Sequence, residues 1–200
     1  MAKQKDGKLN RLGALLPEGL LVDAAWLSRH GYSSSLRSQY VASGWLQQPA
    51  RQVYTRPRVS LTWQQVMISL QSLLDLPVAV GGRTALEALG FAHYLSHQTK
   101  EVHLYGPKRP PAWLNNLSLD VRFIYHNSER LFPETLLKVP AAGPGRTTAP
   151  ERPPSSSPAG FSFQAQEWGP WGWQMLLSSP ERAVLELLDA LPGASIRRIN

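Results

Sequence analysis

Ser33, Ser34, Ser35, Arg37, Ser38 and Gln39 fall within seven residues, and each can make a hydrogen bond to a polar partner. Serine hydroxyls and backbone N–H groups at the start of a helix can hold phosphate. An arginine such as Arg37 can pair with a guanine edge, and a glutamine such as Gln39 with adenine. Arg51, Arg56 and Arg58 lie shortly after, with Tyr54 among them. Long cations of that kind suit phosphate or minor-groove contact. The shared chemistry of this stretch is DNA binding.

Other groups of chemical interest carry weaker patterns. His93 and His97 lie four residues apart, a spacing that chelates zinc on a helix, and His103 and His126 are the nearest further ligands. The glutamate of His-Glu-x-x-His is missing and no acidic cluster is near, so ordinary histidines are the expectation and no metal is assigned. Gly81-Gly82-Arg83-Thr84 stands where phosphate loops occur but lacks both the Lys-Ser/Thr ending and the G-x-G-x-x-G spacing. A tight turn into a helix capped by Thr84, with Glu87 completing a capping box, accounts for it. There is no G-x-S-x-G elbow and no paired-carboxylate pattern. The absence of cysteine removes disulfides, thiolate zinc sites and a cysteine nucleophile. The expectation is a binding protein, not an enzyme, and one without cofactor. Trp168, Trp171 and Trp173 cluster within six residues, and core packing is their expected fate.

The elements that must position these residues emerge from periodicity and breakers. Leu9, Leu12, Leu15 and Leu16 predict a short helix over 9–16, broken at Pro17-Glu18-Gly19. Lys3, Lys5 and Lys8 before it read as a frayed tail. A second helix is predicted over 20–30 and stops at Gly31. The serines cap a third helix running to about Ser43, with Leu36, Tyr40 and Val41 as its apolar face. Trp45-Leu46 and Val53-Tyr54 predict two short strands around a polar turn at 47–51. Helix, helix–turn–helix and hairpin, in that order, make a winged helix-turn-helix over 1–60.

Residues 61–139 predict a small mixed α+β domain. It holds a helix over 61–76, a strand at 78–80, a helix from Thr84 to about Leu95, and strands at 102–105 and 121–125. Residues 140–160 carry six prolines and read as a linker or insertion. Residues 161–200 read as the start of a C-terminal segment. Its clearest element is a helix opened by Ser179-Pro180-Glu181 and closed at Pro192-Gly193. The fold class expected for the whole chain is α+β.

Charge supports the reading of the first segment. The net charge is +7 over 200 residues. Residues 1–60 hold nine Lys/Arg and three acids, a net of +6, and the remaining 140 residues contribute +1. A localised positive field attracts polyanions. No stretch approaches the roughly 20 apolar residues of a membrane span. The polar N-terminus lacks a signal-peptide core, so a cytoplasmic protein is expected.

Three stretches resemble the AbiEi antitoxin family of bacterial type IV toxin–antitoxin systems. The first runs from Ser35-Leu36 through Gly44-Trp45-Leu46 to Arg51-Gln52-Val53-Tyr54. The second, and most specific, is Val80-Gly81-Gly82-Arg83-Thr84-Ala85-Leu86-Glu87-Ala88-Leu89-Gly90, continuing through His93-Tyr94-Leu95 to Val102-His103-Leu104-Tyr105-Gly106. The third is Ser178-Ser179-Pro180-Glu181-Arg182-Ala183-Val184-Leu185-Glu186-Leu187-Leu188. The resemblance implies a winged-helix repressor that binds inverted repeats in its own promoter, two copies side by side. It also implies a part that counteracts a nucleotidyltransferase-like toxin and a role in antiviral defence. The family's C-terminal domain normally runs past the helix at 180–191, whereas this chain ends at Asn200, and the Pro-rich stretch is longer than usual. Two rival readings are a mobile-element DNA-binding regulator without a toxin and a protein-interaction module that uses the winged helix.

Overall fold

The computed structural model describes residues 2–57, 60–91, 99–132 and 163–191. The chain begins with α1 (Ala2–Leu15). It sends Leu12 and the adjoining Leu16 into the core and lays Leu9 and Leu15 against it. Lys3, Lys5 and Lys8 therefore lie on a helix, not on the frayed tail expected of them. The predicted helix over 20–30 divides in two. Leu21–Asp23 form strand β1, and α2 (Ala24–Arg29) starts only where Asp23 caps it, accepting a hydrogen bond from the Trp26 N–H at 2.7 Å. The run Leu20-Leu21-Val22 is wholly buried, and a short buried run cannot be assigned to helix or strand by period alone.

The turn after α2 passes through Gly31 at φ +86°, a conformation that favours glycine. Ser33 then caps α3 (Ser34–Ala42), accepting from the Leu36 N–H at 3.4 Å. Strands β2 (Gln47–Ala50) and β3 (Val53–Thr55) come next. The second strand holds the predicted Val53-Tyr54, but the first is shifted: Trp45 precedes it, and Arg51-Gln52 make the turn, with Gln52 at φ 63°. The three strands pair antiparallel in the order β1-β3-β2.

The next helix is α4 (Trp63–Ser72), started by a capping box between Thr62 and Gln65. It joins the head to the second sheet. The Ser69 hydroxyl accepts from the Leu21 N–H of β1 at 3.0 Å. Two residues on, the buried Gln71 amide donates to the carbonyls of Val78 (3.0 Å) and Leu176 (3.1 Å) and accepts from the Leu176 N–H (2.9 Å).

The remaining elements are β4 (Ala79–Val80), α5 (Gly82–Ala88), β5 (Glu101–Gly106), β6 (Arg122–Asn127), β7 (Phe163–Trp168), β8 (Trp173–Ser178) and α6 (Pro180–Asp189). Their strands form one sheet in the order β6-β5-β4-β8-β7, with β4 parallel to β8 and β5 parallel to β6. Residues 163–191 therefore complete the sheet begun at residue 79 and pack with the middle region. One cluster of buried side chains runs from Leu12 and Leu27 through Val66 and Ile68 to Leu104, Leu177 and Ala183, so head and sheet share a core. The fold is α+β, as the sequence predicts.

The Gly-Gly turn also differs from expectation. Helix α5 begins at Gly82, with Gly81 as a cap that offers no side chain. Thr84 is no cap: its hydroxyl accepts from the His103 N–H (3.0 Å) and donates to the Glu101 carbonyl (3.3 Å). A Cβ at Gly81 would collide with Glu186 Oε2 and the Tyr105 ring. Glycine is required there because a carboxylate from α6 docks on the turn.

His103 and His126 face each other across β5 and β6, with Nδ1 of the first 2.9 Å from Nε2 of the second. His126 stacks on Tyr105. The metal reading of His93 and His97 falls outside the described residues, and no cluster of three or more His, Asp or Glu able to hold a metal occurs among the described ones. Burial pushes the His103 ring below its ordinary value; Arg83 adds to this, while Glu101 and Glu87 oppose it. Burial and the neighbouring His103 lower His126, against Asp189. The fold favours both rings neutral, so the unfolded chain takes up protons first. Stability is expected to fall as pH drops through about 6.5 and to go on falling until the folded rings titrate. Urea midpoints at about pH 7.5 and about pH 5.5 check this. Glu186, whose carboxyl burial raises, acts in the opposite sense, so the comparison should include His126→Gln, which is expected to flatten the loss.

Candidate nucleic-acid interface

The outer face of α3 is set by its inner one. Leu36, Arg37, Tyr40 and Val41 turn toward the fold, and Tyr40 is buried. This leaves Ser34, Ser35, Ser38, Gln39 and Ala42 exposed on the other side, at the i, i+1, i+4, i+5, i+8 spacing of one helical face. Ser33, also exposed, holds the start of the helix, and its hydroxyl lies 3.1 Å from that of Ser35. Five of the six helix residues expected at the interface therefore share one solvent-facing surface of small polar groups.

Arg37 is the sixth and does not join them. Its Nη1 donates to the Ala24 carbonyl (3.1 Å), the Ser28 hydroxyl (2.7 Å) and the Tyr32 carbonyl (2.9 Å). Its guanidinium lies over the Tyr54 ring at 5.9 Å. A guanine-reading role does not fit a group so engaged. The sequence held the clue: Arg37 precedes Val41 by four residues and so shares the apolar face.

The hairpin residues divide in the same way. Arg51 is exposed at the tip of the wing. Tyr54 is buried in β3, so its ring belongs to the core and not to a phosphate contact. Arg56 pairs with Glu18 at 2.9 Å and reaches the Gly13 carbonyl, tying the end of β3 to α1 and to the segment that follows it. Arg58 lies outside the described residues. Three exposed residues absent from the sequence expectation stand between α3 and the wing tip: Trp45, 53% exposed, and Gln47 and Gln48. Their polar and aromatic character is visible in the sequence, but only the true register of β2 shows that they face solvent.

The Trp cluster is also more exposed than expected. Trp171 is 58% exposed and stacks on the half-buried Trp173 at 4.9 Å.

Three helices, the last two joined by a glycine turn, with a β-hairpin on a three-stranded antiparallel sheet, define a winged helix-turn-helix. Residues 5–97 match the family model described as a transcriptional regulator, AbiEi antitoxin N-terminal domain. Over those residues, just under half of its length, the chain is similar to that family. The match extends beyond the wing through α4, β4 and α5, taking in the Gly81-Gly82 turn. No curated protein and no solved structure matches. No helix among the described residues is long and apolar enough to cross a membrane.

Proposed function

We propose that this protein is a DNA-binding transcriptional repressor acting on its own promoter, the regulator of a type IV toxin–antitoxin pair whose toxin resembles nucleotidyltransferases. The observation that carries the reading is the outer face of α3. Small hydrogen-bonding side chains without charge can approach base edges closely, and they stand on the helix that enters the major groove in this class. Arg51 at the wing tip supplies a phosphate contact beside it. The family match and the excess of positive charge in residues 1–60 support the same reading. Two copies side by side would match an inverted-repeat operator.

Gln39 is the longest reader on that face and the natural partner for an adenine. Gln39→Ala is expected to cost about 1–3 kcal/mol on the operator and to relax preference at one base-pair position. Arg51→Ala is expected to weaken operator and random DNA alike and to reduce the salt slope by about 1. A mobility-shift titration with DNA upstream of the gene, at two salt concentrations, measures both. Absence of any preference over random DNA, even at low salt, overturns the repressor reading and leaves the winged helix as a protein-binding module.

A further inference from the structure

We infer that Arg37 is a positioning residue of the reading head, fixing the pose of α3 against α2 and the wing without touching DNA. The inference rests on the DNA-binding reading above. One guanidinium meets three separate elements. It bonds the first residue of α2 through the Ala24 carbonyl, the last turn of α2 through Ser28, and the connecting turn through the Tyr32 carbonyl. It also covers the Tyr54 ring of β3, the inner strand of the wing hairpin. Two Nη1 hydrogens serve three acceptors, so one of these bonds is bifurcated. Ser28 in turn donates to the Ala24 carbonyl at 2.9 Å, so donor and acceptors form one network. The Arg37 Nε is buried and has no hydrogen-bond partner, so the side chain holds its place through the contacts at its far end.

Helix α2 has six residues and α3 nine, too short to fix their crossing by packing area alone. One nitrogen bonded on both sides of the turn, with its guanidinium set over Tyr54, removes that freedom. Base readout depends on placing donors and acceptors to within a fraction of an ångström. A loosened α3 should therefore lose discrimination at every position it reads. Phosphate contacts made by the wing would be untouched.

This differs from both direct roles. A base-reading Arg37 would lose preference at one position. A phosphate-binding Arg37 would lose salt dependence. The experiment compares wild type, Arg37→Ala and Arg37→Lys on the upstream DNA, on a panel of its single-base-pair variants and on random DNA, at several salt concentrations. Amide hydrogen exchange over residues 34–42 is measured on the same proteins. Arg56→Ala is the control, because Arg56 holds the same head together through Glu18, away from α3.

Arg37→Ala is expected to lower operator affinity by about tenfold or more, with the loss spread across positions. The salt slope should be unchanged and exchange in α3 faster. Arg56→Ala should lower stability and leave the pattern of base preference intact. Arg37→Lys keeps the charge but loses the guanidinium plane over Tyr54, so it separates a stacked, placed guanidinium from a mere cation, and it stands in if the alanine variant does not fold. It is expected to change in the same direction as the alanine variant. A salt slope reduced by about 1, a loss confined to one base pair, or unchanged affinity and exchange overturns the inference. If the wild type shows no preference for the upstream DNA, the repressor reading itself fails. If the wild type is specific and Arg37→Ala retains that specificity, only the role of Arg37 fails.

Discussion

Replacing Glu186 with alanine is expected to destabilise the protein by about 3–5 kcal/mol, a larger effect than at any surface position of the same helix. The side chain is fully buried on α6 and accepts from three places. Oε2 takes the Gly82 N–H at 2.9 Å, and Oε1 takes the Ser178 hydroxyl at 3.0 Å and Arg182 Nε at 2.8 Å. Arg182 is equally buried, its guanidinium between the Phe132 and Phe163 rings at 4.0 and 4.3 Å. The Tyr105 hydroxyl donates to the Glu186 backbone carbonyl at 3.0 Å. Removing the carboxylate takes from a buried cation the counter-charge at 2.8 Å and leaves the first N–H of α5 without its acceptor. The loss is asymmetric, because a buried charge deprived of its counter-charge costs more than the pair contributes. Arg182→Met combined with Glu186→Leu should therefore recover much of the loss that Glu186→Ala alone incurs. Urea unfolding of wild type, single and double variants decides the matter. A single variant within about 1 kcal/mol of wild type, or a double variant worse than the single, would contradict this account.

The same network shows what the sequence can and cannot disclose. The helix at Ser179-Pro180-Glu181 is fully legible, because a serine cap, an early proline and a first-turn acid act within one turn of the chain. What α6 does with its faces is not. Val184, Leu185, Leu187, Leu188 and Leu191 read as its inner apolar face, yet Val184, Leu188 and Leu191 are 44%, 42% and 48% exposed and Leu185 and Leu187 only half-buried, while Arg182 and Glu186 go inside. A partner 104 residues away, the Gly82 N–H, helps to make burying that pair tolerable, and no local pattern announces it. The Gly81-Gly82 pair reads as a turn on the ground of conformational freedom, but a docking carboxylate is the stronger reason for it. In the head, the order of the elements discloses the winged helix, while their boundaries slide. Leu21-Val22-Asp23 reads as helix because three residues cannot show a period. The first hairpin strand reads two residues early because Trp45 resembles a strand residue more than Gln47 or Gln48 does. The candidate interface is legible in its serines and in Gln39, which short-range capping and exposure govern. It fails at Arg37, Tyr54 and Arg56, whose partners at Ala24, Ser28, Glu18 and the inner wing depend on tertiary contact.

Gln71→Ala is the second large effect, a loss of about 2–4 kcal/mol. One buried amide serves three backbone groups: the Val78 and Leu176 carbonyls and the Leu176 N–H. Both carbonyls and the N–H lie beside the β4–β8 junction, the parallel pairing by which residues 173–178 enter the sheet beside β4. That junction has a single registered pair, Val80 with Leu177, so the ladder itself holds it weakly. Gln71 supplies from α4 the hydrogen bonds that a longer ladder would provide. Without them, three buried polar groups lose their partners, each at a cost of the order of 1 kcal/mol or more. Ser69→Ala, on the head side of α4, removes one such bond to Leu21 and should cost about 1 kcal/mol. The two losses should differ in place as well as size. Gln71→Ala should speed amide exchange at Leu176 and Leu177 before it affects Val53 and Tyr54, and Ser69→Ala should do the reverse. Equal exchange at both sites in both variants would mean that the shared core opens as one unit and that α4 transmits every local loss to the reading head. In that case, substitutions far out in the sheet should weaken DNA binding through the folded fraction alone, and the pattern of base preference should remain that of the wild type.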